Sequence, residues 1–308
     1  MPVSISFVVP AYNEREYIEQ CLNAIHEACA DLDIQTEIIV IDNGSTDATP
    51  ELARGCNAQV FTIERTSVSA ARNLGADKAS HPVIAFIDAD VVITRRWATI
   101  CCQQFETLVR DGDTLTGHQY AIRPNRSWIE EHWFGNLHDK FLAGGNIIIS
   151  KELFHKIDGF DVDLKTGEDF DLCERAIAAG ANYYEEPGYE AIHLGFPRTL
   201  SHFVKREIWH GEGDFHSLSR FLSSKVAMIA MLYLGMHLLV LLCVLTGRTE
   251  TGLLIFSVLL LINLMLTVLR FRHAPLASIV PDFILNYAYF CARGASFFSA
   301  LLKKKKQY

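Results

Sequence analysis

Apolar runs alternate with amphipathic stretches from residue 3 to residue 90. The runs with β-branched and aromatic character are Ile5–Val9, Glu37–Ile41, Gln59–Ile63 and Val83–Asp90. The stretches between them have helical spacing: Ile18, Leu22 and Ile25 in the first, the segment through Leu52 in the second, and Ser67–Ala79 in the third. Strands that alternate with helices predict βα units and a mostly parallel sheet with right-handed crossovers.

Further short elements are predicted between residues 91 and 215. The predicted strands are Gly117–Ile122, Ile147–Ile149 and Tyr189–Ile192. The predicted helices lie around Trp97–Leu108, over Lys151–Lys156, from Glu168 onward and over Thr199–Trp209. We therefore expect an α/β catalytic domain over residues 1–215, followed by a juxtamembrane linker over residues 216–225.

Two long uncharged stretches follow this domain. Val226–Thr246 contains 21 residues and Thr251–Leu269 contains 19, and neither includes Asp, Glu, Lys or Arg. Each is long enough to cross a hydrocarbon core of about 30 Å. The pattern predicts a transmembrane hairpin over residues 226–270, with spans at 226–246 and 251–269.

The flanking charges predict the orientation of this hairpin. Arg220 and Lys225 precede the first span, and Arg270 and Arg272 follow the second. The positive-inside rule then places the catalytic domain in the cytoplasm and the chain, as a multi-pass protein, in the inner (plasma) membrane. Residues 276–302 are predicted to form an interfacial, re-entrant or third transmembrane segment, before a basic tail over 303–308.

Charge and cysteine content exclude two classes of site. The first 225 residues carry 20 basic and 34 acidic side chains, so a nucleic-acid surface is not expected. The eight cysteines form no C-x-x-C pair, which argues against a zinc or disulfide framework.

Polar residues follow three of the predicted strands. These tips are Asn13-Glu14, Asp42-Asn43 and Asp88-Ala89-Asp90. The carboxyl ends of parallel strands are where ligands bind in open α/β sheets. Carboxylate oxygens suit Mg²⁺ or Mn²⁺, and either ion suits a diphosphate.

Three later features add candidate chemistry. Gly144-Gly145-Asn146 precedes a strand, where the glycines permit close approach of a ligand or a tight turn. Glu168 and Asp169 begin a helix, where a carboxylate can act as a general base. His193 lies at another strand end, although a single histidine is more often structural than a metal ligand.

The ordered motifs resemble those of the inverting nucleotide-sugar glycosyltransferases of family 2, which have the GT-A fold. The motifs are Val8-Val9-Pro10-Ala11-Tyr12-Asn13-Glu14, Asp42-Asn43-Gly44-Ser45-Thr46-Asp47, Ala71-Arg72-Asn73-Leu74-Gly75, Asp88-Ala89-Asp90 and Gly167-Glu168-Asp169. The resemblance covers about residues 3–215 and implies a cytoplasmic site for a nucleoside-diphosphate sugar and a divalent metal.

This resemblance also implies a role for each matching residue. On the donor side, Pro10, Ala11, Asn13 and Glu14 line the nucleoside pocket, Asp42 binds the base, Arg72 lies near the diphosphate and Asp88 faces the ribose or the metal. Asp90, with Asp88 and His193, coordinates Mg²⁺ or Mn²⁺. Asp169 is the general base with Glu168 beside it, and Gly144, Gly145, Asn146 and Trp209 lie on the acceptor side.

The same comparison indicates a non-processive enzyme. The Gln-x-x-Arg-Trp motif of processive synthases is missing, and Lys205-Arg206-Glu207-Ile208-Trp209 stands near its place. We expect transfer of one sugar to a membrane-associated acceptor, a polyprenyl phosphate or lipid-linked glycan, in cell-envelope or exopolysaccharide assembly. The alternatives are a sugar nucleotidyltransferase and a membrane-tethered scaffold that has kept the fold without the chemistry.

Overall fold

The computed structural model describes residues 3–110, 112–137, 141–164, 166–215 and 217–304. His138 and the tail residues 305–308 therefore lie outside the described residues. The strands are β1 Val3–Ala11, β2 Ile34–Asp42, β3 Gln59–Thr62, β4 Val83–Ile87, β5 Val91–Ile93, β6 Thr114–Gly117, β7 Tyr120–Ala121, β8 Asn146–Ser150, β9 Asn182–Glu185 and β10 Ala191–His193.

Helices occupy most of the remaining chain. They are α1 Ile18–Cys29, α2 Thr49–Gly55, α3 Val68–Lys78, α4 Arg95–Arg110, α5 Lys151–Lys156, α6 Glu168–Ala178, α7 Leu200–Gly211, α8 Leu218–Ser223, α9 Lys225–Leu245, α10 Thr249–Arg270 and α11 Ile279–Lys304. A π-helical turn covers Glu130–Phe134, and 3₁₀ turns cover Glu212–Phe215 and Leu276–Ser278.

The chain forms two compact units. The first contains Met1–Arg123 and Asp139–Gly195, and the second contains Pro124–His138 and Phe196–Tyr308. The predicted catalytic domain over residues 1–215 thus includes residues of both units.

The first unit is built on a seven-stranded sheet in the order β3-β2-β1-β4-β8-β6-β9. The β1–β2, β1–β4, β2–β3 and β6–β9 pairs are parallel, and β8 runs antiparallel to both of its neighbours. The predicted mostly parallel α/β sheet is confirmed. In this order β2, β1 and β4 are adjacent, which brings their carboxyl ends to one edge.

The predicted single strand over Gly117–Ile122 is wrong. The structure has β6 ending at Gly117 and a separate strand β7, which belongs to a small second sheet in the order β5-β10-β7. The break falls at Gly117, whose φ is +150° and where a Cβ would lie 2.1 Å from the Asn146 carbonyl oxygen. Only glycine fits this close approach, and the chain leaves the large sheet there.

Helices cover both faces of the large sheet. In β1, Phe7 and Val9 belong to the cluster packed with α1 and α4, while Val8 belongs to the cluster packed with α3, α5 and α6. Successive strand residues point to opposite faces, so a strand that is buried on both sides needs an unbroken apolar run. The observed β1 and β4 are buried along almost their whole length.

The second unit contains two helices long and apolar enough to cross a membrane. These are α9, which contains all but the last residue of the predicted span 226–246, and α10, which contains the whole of 251–269. Most of their large apolar side chains are exposed. Length and composition are the grounds for this assignment. A buried polar group joins them, because Tyr233 donates a hydrogen bond of 2.8 Å to the Asn263 side chain.

Gly75 provides a test of the packing between α3 and the sheet. A Cβ at this position would lie 2.2 Å from Val8 Cγ1, in the buried core. We expect Gly75→Ala to lower the free energy of unfolding by about 1–3 kcal/mol through overpacking. Thermal unfolding of the full chain in detergent measures this. Gly55→Ala is the matched control, since nothing lies within 4 Å of its Cβ position and a helical Ala is favoured; equal midpoints for the two variants would contradict the packing argument.

Candidate active site

The loops after β1 and β2 are tied together at the sheet edge. The Asn13 backbone amide donates to Ser45 Oγ over 2.9 Å, and Asn13 Oδ1 accepts from the Thr46 amide over 2.8 Å. The Glu14 amide donates to Thr49 Oγ1 over 2.8 Å. Asn13 has a positive φ of 57°, which asparagine tolerates better than most residues. The predicted donor-side residues of these two loops therefore form one connected rim.

Asp42 is fully buried at the end of β2. Its Oδ1 accepts a hydrogen bond from the Ser45 amide over 3.1 Å, while Oδ2 is buried without a hydrogen-bond partner among the described residues. A buried carboxylate oxygen without a donor is costly, so a donor from a ligand would be favourable here. The neighbouring Asn43 is committed to the fold, because its amide bonds both the N–H and the C=O of Thr66.

Arg72 lies at the centre of the site and is almost fully buried. Its Nη2 donates to Asp88 Oδ1 over 2.7 Å, and its Nη1 donates to Glu168 Oε1 over 2.9 Å. One guanidinium thus joins the end of β4 to the start of α6. Burial alone would raise the pKa of Asp88, but the Arg72 charge and the hydrogen bonds of Arg72 and Tyr120 outweigh it and lower the pKa.

The other oxygen of Asp88 is held by Tyr120. The Tyr120 hydroxyl donates to Asp88 Oδ2 over 2.8 Å and accepts from the Gly145 amide over 2.7 Å. A Cβ at Gly145 would lie 2.2 Å from Asp88 Cγ, so only glycine allows this contact. The carboxylate of Asp88 is therefore engaged on both oxygens by protein groups.

Gly144 and Asn146, on either side of Gly145, have different surroundings. A Cβ at Gly144 would lie 3.2 Å from Arg72 Nη2 and 3.3 Å from Asp169 Oδ2, which places its backbone beside both groups. Asn146 is fully buried, donates to the carbonyls of His118 and Tyr189, and accepts from Trp97 Nε1. The Asn146 amide thus positions this loop from inside the protein.

Asp90, the residue before β5, lies close to His193, the last residue of β10. Asp90 Oδ2 lies 3.6 Å from His193 Nε2, and a Cβ at Gly195 would lie 1.9 Å from the same oxygen. The ring of Tyr120 packs edge-on against His193 with centroids 4.8 Å apart.

Burial, with the nearby Asp90 and Asp88 charges, raises the pKa of Glu14 to about 8.

These groups fit a divalent cation in part. Within the described residues, no three His, Cys, Asp or Glu side chains come together as a complete metal cage. Asp90 and His193 provide a pair, and the crowded negative charge around Glu14 favours a cation. Mg²⁺ and related ions are commonly held by one or two protein groups together with substrate phosphates and water.

Glu168 and Asp169 have different partners at the start of α6. Glu168 is paired with Arg72, whereas Asp169 Oδ1 accepts from the Phe170 amide over 2.9 Å. Burial, and then the Glu168 charge, raise the pKa of Asp169. Of the two predicted catalytic carboxylates, Asp169 is therefore the one whose environment suits proton transfer.

Three predicted residues remain: Pro10, Ala11 and Trp209. Pro10 and Ala11 are the buried last residues of β1. Trp209 lies on α7 in the second unit and is 56% exposed. The roles assigned to the site residues from the sequence stay predictions.

Two residues of the site were missed by the sequence reasoning. Tyr120 is separated by 32 residues from Asp88 and by 25 from Gly145, so local spacing carries no signal for it. Gly195 lies two residues after His193, and a glycine just beyond a candidate ligand could have been recognised as a point of close approach.

The matching family model decides the assignment. The model described as glycosyl transferase family 2 matches residues 6–159, half of the chain. The chain belongs to this family. The fold and the ordered motifs agree with this assignment. The family shows that the protein is a glycosyltransferase, and it does not support the alternative of a sugar nucleotidyltransferase.

This glycosyltransferase is similar to curated proteins from an archaeon and a bacterium. Glycosyltransferase AglE of Haloferax volcanii is 26% identical over 226 residues, which cover 68% of this chain and 72% of that protein. Succinoglycan biosynthesis protein ExoO of Rhizobium meliloti is 27% identical over 218 residues. That match spans 61% of this chain and 60% of ExoO, less than two thirds of its length.

A solved structure supports the fold of this glycosyltransferase. Mannosyltransferase PcManGT from Pyrobaculum calidifontis, in complex with GDP-Man and Mn²⁺, superposes with a TM-score of 0.58. The superposition covers 97% of this chain and 89% of that chain, at 18% identity. The GT-A fold predicted from the sequence is confirmed.

Tyr120→Phe tests the hydroxyl bridge in this glycosyltransferase. The change leaves Asp88 Oδ2 and the Gly145 amide without their partner, so we expect a loss of about 1–3 kcal/mol in unfolding free energy. Thermal unfolding of the full chain measures it. Tyr184→Phe is the matched control, because that half-buried hydroxyl donates to the Gln104 side chain and does not bond Asp88 or Gly145. A Tyr120→Phe variant as stable as the control would show that the bridge does not stabilise the fold.

Proposed function

We propose that this glycosyltransferase moves a single sugar from a nucleoside-diphosphate sugar to a membrane-associated acceptor, with inversion at the anomeric carbon. The observation that carries the proposal is the position of Arg72 between Asp88 and Glu168. It places a cation between the strand end expected to meet the donor and the helix start that carries Asp169. This arrangement supports a single site for the donor and the base.

The donor side of the proposal rests on the edge formed by β1 and β2. Asn13 and Glu14 belong to the connected rim, and Pro10 and Ala11 are the buried residues that lead into it. Asp42 Oδ2 is buried without a hydrogen-bond partner among the described residues, and we propose that it accepts a hydrogen bond from the base. The similar mannosyltransferase was solved with GDP-Man, which supports a nucleotide sugar as the donor here.

The metal side rests on Asp90 and His193, together with Asp88. Asp90 and His193 would hold Mg²⁺ or Mn²⁺, and Asp88 would act through its bonds to Arg72 and Tyr120. A bound divalent cation would neutralise charge on the leaving diphosphate. The Mn²⁺ in the similar mannosyltransferase supports a divalent ion without distinguishing Mg²⁺ from Mn²⁺ in this chain.

The reaction proposed is a single displacement. Asp169 accepts the proton of the acceptor hydroxyl, or orients an acceptor oxygen that is already anionic, as that oxygen forms a bond to the anomeric carbon. The bond between that carbon and the diphosphate oxygen breaks, and the nucleoside diphosphate leaves with the electron pair. Arg72, held between Asp88 and Glu168, is proposed to help stabilise this developing negative charge, and attack from the opposite face inverts the configuration.

The acceptor is proposed to be a polyprenyl phosphate or a lipid-linked glycan at the cytoplasmic leaflet. The two helices suited to cross a membrane support an acceptor in lipid, and the succinoglycan relative supports polysaccharide assembly. Gly144 and Gly145 are proposed to face the acceptor beside Asp169. Trp209 stays a prediction for the acceptor side.

The function is tested by donor turnover in membranes that contain the full chain. A panel of UDP- and GDP-sugars is supplied with and without polyprenyl phosphate and Mn²⁺, and the released nucleotide is measured. Turnover that needs both lipid and metal supports the proposal. Turnover without lipid would indicate a soluble acceptor instead of a lipid. Nucleotide binding without any turnover would favour the inactive scaffold.

Asp169→Asn tests the base in the same assay. Loss of a general base lowers kcat by about 10²- to 10⁴-fold, and we expect a loss in this range. Glu174→Gln is the matched control, because this exposed carboxylate lies on the same helix away from the site. Similar rates for the two variants would exclude Asp169 as the base.

The pH dependence of kcat tests the environment of Asp169. Because its pKa is raised and the base works when deprotonated, the rate should fall as pH decreases through that pKa. Glu168→Gln removes a charge that raises the pKa, so the acid limb should move to lower pH even if the maximal rate also falls. An acid limb at the same pH in both proteins would show that another group controls the rate.

A further inference from the structure

Arg270 lies at the end of α10 with its guanidinium held over three aromatic rings. Its Cζ is 4.3 Å from the centroid of Tyr289, 5.1 Å from that of Trp133 and 5.2 Å from that of Phe290. A cation close to the face of an aromatic ring is attracted by the negative charge of that face, so the three rings together hold the guanidinium. We call this set of three rings the aromatic floor.

A chain of side-chain amides fixes the guanidinium from the side. Arg270 Nη1 donates to Asn286 Oδ1 over 3.1 Å, and Asn286 Nδ2 donates to Asn263 Oδ1 over 3.0 Å. Both asparagines are fully buried. The position of Arg270 is therefore set before any ligand arrives, which lowers the entropy lost on binding.

The charge of Arg270 is not matched by a carboxylate. Among the residues that the structure describes, no Asp or Glu oxygen lies within 4.0 Å of the Arg270 guanidinium. Within the same residues, the guanidinium donates one hydrogen bond, to Asn286. Two other arginines of the second unit differ in this respect, since Arg206 and Arg293 both pair with Glu207. Arg270 thus keeps donors for an anion.

The position of Arg270 along the chain indicates which anion. It is the first charged residue after the uncharged stretch Thr251–Leu269, and the exposed Arg272 follows two residues later. If α10 spans the bilayer, Arg270 lies where hydrocarbon meets headgroups. The anions at that level are lipid phosphates, and a planar guanidinium can bind phosphate oxygens with two parallel hydrogen bonds.

We propose that Arg270, on its aromatic floor, binds the phosphate group of a membrane lipid. The inference that this lipid is the polyprenyl phosphate acceptor rests on the proposed function. An arginine that only reaches the membrane surface needs neither three rings nor a buried amide chain to hold it, and this construction distinguishes Arg270 from Arg272.

The test measures binding of polyprenyl phosphate to the full chain in nanodiscs of neutral phosphatidylcholine, without any nucleotide sugar. The readout is the rise in unfolding temperature as the lipid is titrated. We expect Arg270→Gln to weaken binding by about tenfold or more, because one charged phosphate contact is worth about 1.5–3 kcal/mol. Arg248→Gln, in the turn between α9 and α10, is the matched control and should bind like the wild type.

Three further arms make the result decisive. In the first arm, phosphatidylglycerol is added to the nanodiscs. It should compete with polyprenyl phosphate if the site accepts any lipid phosphate, and it should not compete if the site selects the polyprenyl chain. In the second arm, inorganic phosphate tests binding of the headgroup alone. Arg270→Lys keeps the charge without the forked donors and should bind about three- to tenfold more weakly, which covers the case in which Arg270→Gln fails to fold. Wild-type affinity in the folded Gln or Lys variant would overturn the proposal.

The outcome is separable from that of the proposed function. A chain that binds polyprenyl phosphate through Arg270 but transfers no sugar would uphold the site and contradict the function. A chain that transfers sugar to polyprenyl phosphate with unchanged affinity in Arg270→Gln would uphold the function and contradict the site.

Discussion

The buried ion pairs of Arg72 are the interaction on which the arrangement of the first unit depends. A guanidinium with 4% of its side chain exposed needs nearby carboxylates, and Asp88 and Glu168 supply them from elements 16 and 96 residues away. Removing one partner would leave charge buried without compensation, which is far more damaging than losing a surface pair. The contact therefore fixes the end of β4 relative to the start of α6, and with it the distance between the expected donor and the expected base.

The glycines around this ion pair make the arrangement possible. Gly145 allows the backbone to approach Asp88, Gly144 allows it to approach Arg72 and Asp169, and Gly75 lets α3 lie close to β1. Asn73 extends the support, since its amide bonds both backbone groups of Phe160. The Ala71–Gly75 motif thus serves one cation and the packing that holds it in place.

In the second unit, too, buried polar contacts determine how the elements pack. Its long helices are apolar over most of their exposed surface, yet their inner faces carry a connected set of polar side chains. Tyr233, Asn263 and Asn286 satisfy one another, and Arg270 joins the end of this chain. Buried polar groups in an apolar setting are stable only when such a network is complete, so the network specifies how α9, α10 and α11 pack.

The sequence by itself determined the fold class, most helices and strands, the family and the order of the polar strand ends. These follow from apolar periodicity and from motifs that are contiguous along the chain. The tertiary structure alone decided that Glu168 is engaged by Arg72, that Asn146 is committed to the core, that Tyr120 bridges Asp88 and Gly145, and that the chain breaks at Gly117. Each of these depends on atoms brought together across 25 to 96 residues or on one forbidden Cβ contact, and no local pattern encodes such distances.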